Sequence, residues 1–215
     1  MQTEKEVSYT ASNSYSTMYA LSKKTKNIWF SFHGMGYLSR YFLNHFEALN
    51  PDENYFIAPQ APSKYYQGKN FNYVGASWLT KENTAAETKN VLNYIDAVSQ
   101  SENIPENEDK LIVFGFSQGV SVALRWVASR KINCKTIIIH SGGIPKELKA
   151  EDLSFLDKNT KVYVIYGTKD EYLTEERMYS ELIMAKNLFG KRLHVISFEG
   201  NHSVNKELLL SISKF

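Results

Sequence analysis

Short apolar runs separated by segments of helical period recur along most of this chain. That alternation constrains the fold more than any other feature. The runs cover residues 28–32, 55–58, 111–114, 136–139, 161–166 and 193–198. Behind the first run, Leu38, Phe42, Phe46 and Leu49 form a helical stripe that stops before Pro51. Thr84-Ala85-Ala86-Glu87 reads as a capping box, with Val91, Leu92, Ile95 and Val98 as the apolar face behind it. Val120, Ala123, Leu124 and Val127 form another stripe. A further helix is predicted from Thr174 to about Phe189, with Glu175 and Glu176 in its first turn and Gly190 as its stop. Leu208 and Ile212 anchor a last helix. Separators of crossover length imply a mostly parallel sheet covered by helices on both faces, an α/β architecture. The run Thr136-Ile137-Ile138-Ile139 suits a strand buried on both sides.

Two segments fall outside the alternation. Residues 7–11 and 15–21 are rich in β-formers around Ser12-Asn13-Ser14, which predicts an N-terminal hairpin. Residues 59–77 read as a long aromatic loop. No internal repeat or linker appears, so one domain over residues 1–215 is expected. With 215 residues, 43% of them hydrophobic, such a domain can bury a proper core.

Open parallel sheets gather their ligands at the carboxyl ends of the strands, so the residues just past each run matter most. They are His33-Gly34-Met35-Gly36, Gly115-Phe116-Ser117-Gln118-Gly119, His140-Ser141-Gly142-Gly143, Gly167-Thr168-Lys169-Asp170 and Glu199-Gly200-Asn201-His202. Serine, then aspartate, then histidine is the chain order of the triad on an α/β-hydrolase sheet. A serine hydroxyl is a poor nucleophile at neutral pH and needs an adjacent base. Ser117 is the expected nucleophile and His202 the base. Asp170 is expected to fix the tautomer of His202 and stabilise its imidazolium. Glu171 and Glu199 are the other carboxylates nearby; Asp170 is preferred because it follows a sheet strand. The amides of Gln118 and Met35 are the expected oxyanion donors, the first at a helix start and the second between two glycines. His33 is expected to support its loop, and His140 to be structural or to line the pocket. His45 and His194 read as structural, and Cys134 as inert.

FHGMG, GFSQG, YGTKDEY and GNHS, in that order, resemble the carboxylesterase, phospholipase and acyl-protein thioesterase family of α/β-hydrolases. IAPQAP at 57–62 and GASW at 75–78 extend the resemblance, which runs from about Ile28 onward. It implies the α/β-hydrolase fold, the triad Ser117, Asp170 and His202, and Met35 and Gln118 as oxyanion donors. Two positions depart from the family pattern. Val120 stands where a second glycine is usual, and Phe32 precedes His33 where leucine is usual. Both are expected to reshape the acyl pocket.

Composition narrows the partners. The formal charge is +2, from 25 basic and 23 acidic residues, which gives no case for nucleic acid. Lys23-Lys24-Thr25-Lys26 reads as a solvated turn. The start of the chain is polar without an apolar leader core, no stretch reaches membrane-spanning length, and a lone cysteine fits a reducing compartment. A cytoplasmic protein without integral membrane association is expected. No metal signature, P-loop or dinucleotide fingerprint occurs, so catalysis without a cofactor is expected. The aromatic loop carries Tyr65, Tyr66 and Trp78, the expected substrate-binding residues. Short- to medium-chain carboxylic esters are the expected small-molecule substrates. An acyl-protein thioesterase or lysophospholipase with the same triad, and a non-catalytic binding module, are the alternatives. The oligomeric state stays open, a homodimer included.

Overall fold

The computed structural model describes residues 2–214. Among these residues nine strands occur: β1 (Tyr15–Met18), β2 (Asn27–Phe32), β3 (Asn54–Pro59), β4 (Ser63–Gln67), β5 (Tyr73–Ser77), β6 (Leu111–Phe116), β7 (Thr136–His140), β8 (Lys161–Gly167) and β9 (Leu193–Phe198). Five α-helices accompany them: α1 (Ser39–Phe42), α2 (Thr84–Ser101), α3 (Gln118–Arg130), α4 (Glu175–Phe189) and α5 (Lys206–Ile212). Seven strands form one sheet in the order β1-β3-β2-β6-β7-β8-β9. Every pairing from β3 to β9 is parallel, and only β1 runs antiparallel, at the edge. This is the α/β-hydrolase fold.

The period of two along each strand explains why the sheet needs two covers. Ile28, Phe30, Phe32, Val113, Ile137, Ile139, Val162 and Val164 pack on one side with residues of α2, α3 and α4. Trp29, Phe56, Ile112, Phe114, Ile138 and Ile165 pack on the other, with Phe42 and Phe46 following β2 and Leu209 and Ile212 of α5. Phe30 stacks on Trp126 of α3 with ring centroids 4.9 Å apart, which holds that helix against the centre of the sheet. No helix among the described residues is long and apolar enough to cross a membrane.

The expected N-terminal hairpin does not form. Residues 2–14 carry no strand, and only Tyr15–Met18 pairs, with β3. Val7 and Tyr9 are 87% and 84% exposed, so the β-formers of that arm have nothing to pack against. Asn13 does not turn a hairpin; its side-chain amide donates to the Gln60 carbonyl at 2.7 Å and lays the arm along the sheet edge. The capping box is absent as well. Asn83, with φ 46°, precedes α2 without a side-chain cap bond, and the Thr84 hydroxyl donates to the Thr80 carbonyl.

Residues 63–77 are not a loop. They form a second, two-stranded antiparallel sheet from β4 and β5, with Tyr65 opposite Gly75 and Tyr66 opposite Val74. Gly68 (φ 70°) and Phe71 (φ 55°) turn the chain between them.

Candidate active site

Between β6 and α3, Ser117 sits at φ 52° and ψ −119°, a backbone conformation that costs of order 1–3 kcal/mol for a non-glycine residue. Two features hold it there. Its amide donates to the His140 carbonyl at the end of β7, at 2.9 Å. Two residues on, Gly119 presses against β2, where a Cβ would lie 2.1 Å from the Phe32 carbonyl oxygen. The strand and helix can approach this closely only through a residue without a side chain. Val120 is buried beneath the turn, and its side chain lies against Gly142.

His202 stands in the loop between β9 and α5, and Asp170 in the loop after β8. The two loops are laced together. The amides of Thr168 and Lys169 donate to the carbonyls of Phe198 and Gly200, both at 2.8 Å. Asp170 is buried, and its Oδ1 accepts the amides of Tyr172 (2.9 Å) and Leu173 (3.2 Å). Its Oδ2 is thereby directed at His202 Nδ1, 2.7 Å away. With Nδ1–H donating to the carboxylate, His202 Nε2 is an acceptor, and it lies 2.9 Å from Ser117 Oγ. Rings of Phe116 and Tyr172 flank the imidazole, with centroids 5.1 and 4.8 Å away. Glu199 is tied up in an exposed ion pair with Lys169. So the three side chains singled out in the sequence form one hydrogen-bonded line. That arrangement can take a proton from Ser117 as its oxygen attacks an electrophile.

Gln118 opens α3, where the first amides of a helix lack intrahelical partners. Met35 lies in the loop after β2, beside the serine: a Cβ on Gly34 would be 3.1 Å from Ser117 Cβ. The amides of Met35 and Gln118 make no hydrogen bond among the described residues. The buried His33 holds the Met35 loop. Its Nε2 accepts the Ala61 amide at 3.1 Å, so its Nδ1–H donates to the Gly34 carbonyl at 2.8 Å. The Gln118 side chain braces the other wall, accepting from the Trp78 amide (2.9 Å) and donating to the Leu79 carbonyl (2.7 Å).

The three expected substrate-binding residues part company. Tyr65 and Tyr66 sit on β4, 39% and 63% exposed. The β4–β5 hairpin is fastened to the Met35 loop, because Gln67 Nε2 donates to the Gly36 carbonyl and the Gly36 amide to the Ala76 carbonyl (2.9 and 2.8 Å). Trp78, by contrast, is 0% exposed and cannot meet a substrate. Its indole N–H donates to the His33 carbonyl at 2.8 Å, and its ring packs on Phe32 and His33. A large apolar ring with one satisfied donor is more stable inside than at a rim. Sequence reasoning missed Tyr172. Its position two residues past Asp170, within Asp-Glu-Tyr, is the only signal that could have placed it at the histidine.

Comparison with known proteins adds the family. Residues 13–215 match the sequence profile of the Phospholipase/Carboxylesterase family. The chain belongs to that family. Among solved structures it is similar to esterase PE8, at 24% identity, TM-score 0.67 and coverage of 94% of this chain and 96% of that one. A phospholipase/carboxylesterase from Dyadobacter fermentans gives 18% identity and TM-score 0.67, covering 96% and 99%. Acyl-protein thioesterase 2 of Zea mays gives 16% and 0.66, covering 94% and 96%. At these identities the structures speak for the fold. A curated relative, the mitochondrial ATP-dependent RNA helicase cyt-19 of Neurospora crassa, is 27% identical over 119 residues. That stretch is 54% of this chain and 19% of the relative, so the chain spans under a fifth of that protein.

Buried histidines around the site make stability depend on pH. Burial lowers His33 from 6.5 to about 4. Burial, reinforced by the neighbouring His202 and His45, lowers His140 from 6.5 to about 3. Both are neutral when folded, so between about pH 6.5 and 4 the unfolded chain binds up to two more protons at these groups. Their contribution is fully present above pH 6.5 and is lost as pH falls toward their folded values. The unfolding free energy is expected to drop in this window with a slope of up to roughly 2–3 kcal/mol per pH unit. Urea titrations at pH 6.5, 5.5 and 4.5 would measure it, and a flat profile would refute the neutral buried state.

Proposed function

We propose that this protein is a serine carboxylesterase that hydrolyses short- to medium-chain carboxylic esters through an acyl-enzyme. The observation that carries the reading is the unbroken line from Asp170 Oδ2 through His202 to Ser117 Oγ, with contacts of 2.7 and 2.9 Å. In this reading Ser117 Oγ attacks the ester carbonyl carbon as His202 Nε2 takes its proton. The carbonyl oxygen becomes an oxyanion, held by the amides of Met35 and Gln118 at the positive end of α3. His202 then gives the proton to the departing alkoxide, and the alcohol leaves an acyl-Ser117 ester. Water repeats the sequence with His202 as base, releasing the carboxylic acid and restoring the serine. Asp170 keeps the Nδ1 proton in place and offsets the imidazolium charge at each step. Tyr65 and Tyr66 form the rim that meets the ester from the hairpin side.

The helicase name of the Neurospora relative is not carried over, since the shared stretch is a small part of that protein and this sequence has no P-loop. Hydrolysis of p-nitrophenyl esters from acetate to palmitate tests the substrate class. Specificity is expected to peak at short or medium chains and to fall by about tenfold or more at palmitate. A maximum at palmitate would move the reading to an acyl-protein thioesterase or lysophospholipase with the same residues.

A further inference from the structure

We propose that His140 is a positioning residue that clamps the loop carrying His202 to the turn carrying Ser117. The inference rests on the esterase reading for its kinetic consequences, but the clamp itself is visible without it.

His140 ends β7, next to β6, and reaches both halves of the site through different atoms. Its carbonyl accepts the Ser117 amide at 2.9 Å. Its ring Nε2 accepts the Asn205 amide at 3.1 Å, three residues past His202. Because Nε2 accepts, the ring proton is on Nδ1, which donates to Ser141 Oγ at 3.1 Å. The residue is fully buried, with Phe114, Phe116 and Phe198 rings 5.5–6.0 Å away. A neutral ring in such surroundings keeps its acceptor lone pair. The loop around His202 is thus pinned on both sides, at Gly200 by the Lys169 amide and at Asn205 by His140. Asn205 also caps α5 by accepting the Leu208 amide, so the second pin fixes the loop to a rigid element. Apolar filler at position 140 would leave a partly buried Asn205 amide without a partner and let His202 drift from Ser117.

Two polar replacements separate positioning from packing. In His140→Gln the side-chain oxygen reaches the place of Nε2 and can still accept from Asn205. In His140→Asn the polar atoms reach only the place of Nδ1, keeping Ser141 and losing Asn205. On p-nitrophenyl acetate the Asn variant is expected to lose about 30-fold in kcat with KM within about twofold, while the Gln variant stays within about threefold of wild type. A second readout needs no turnover: the low-field NMR signal of the His202 Nδ1 proton, assigned by its loss in Asp170→Asn. It should broaden or vanish in His140→Asn and persist in His140→Gln. Equal kinetics and equal proton signals in the two variants would overturn the clamp, whether both are impaired or neither is. Ser117→Ala with undiminished turnover would overturn the esterase reading instead, and the proton signal would still decide the clamp.

Discussion

Ser117→Ala is expected to lower kcat/KM on p-nitrophenyl acetate by about 10⁵-fold while leaving the fold intact. Among the described residues the hydroxyl is the one group hydrogen-bonded to His202 Nε2, so its removal leaves the imidazole without a nucleophile to activate. Any residual rate would come from water polarised by the same base and from the amides of Met35 and Gln118. Stability should change little, within about 0.5 kcal/mol, because alanine meets the same strain at φ 52° that serine does. Steady-state kinetics and a thermal melt on one preparation measure both quantities. A loss of less than about tenfold would mean that another residue carries the reaction.

Gly119→Ala is expected to be the most damaging single-methyl change near the site. Its Cβ would meet the Phe32 carbonyl oxygen at 2.1 Å and the His33 carbonyl oxygen at 2.7 Å. Both are backbone atoms, so no side chain can swing aside. Either α3 lifts from β2 or the strand bends, and overpacking of this kind costs typically 1–3 kcal/mol, and more where backbone must move. We expect about 3 kcal/mol or more lost in urea unfolding. Activity should fall as well, since lifting the helix displaces the amide of Gln118 and the strained turn at Ser117. Ser121→Ala, on the same helix, is the control and should cost under about 1 kcal/mol, losing only a hydroxyl bonded to the Gln118 carbonyl. An unfolding free energy within about 0.5 kcal/mol of wild type for Gly119→Ala would contradict the close packing of β2 on α3.

The strand-end logic was legible because buried parallel strands are continuous apolar runs, and whatever follows each run falls on one edge of the sheet. Ser117 and His202 are 85 residues apart and meet because β6 and β9 run in the same direction in one sheet. The hairpin at 63–77 was not legible, because Ser63-Lys64-Tyr65-Tyr66-Gln67 is exposed on both faces and shows no alternation. Its pairing is set by β5 and by Gln67 binding the Gly36 carbonyl, contacts between segments distant in sequence. Trp78 misled for a related reason: an aromatic beside a polar segment reads as a binding wall, and its burial follows from the His33 carbonyl that its indole N–H finds. At the N-terminus, Val7 and Tyr9 have the propensity for a strand but no neighbour to complete one. His140 shows the same limit. Its type and place at a strand end were plain, but the Asn205 amide that gives it a task is 65 residues away.

Reaction of the intact protein with a fluorophosphonate, followed by peptide mass mapping, tests the role of Ser117 most directly. One adduct per chain is expected, on the peptide containing Ser117, forming at least about 10²-fold more slowly in His202→Ala. No adduct, or an adduct on another residue, would contradict Ser117 as the nucleophile.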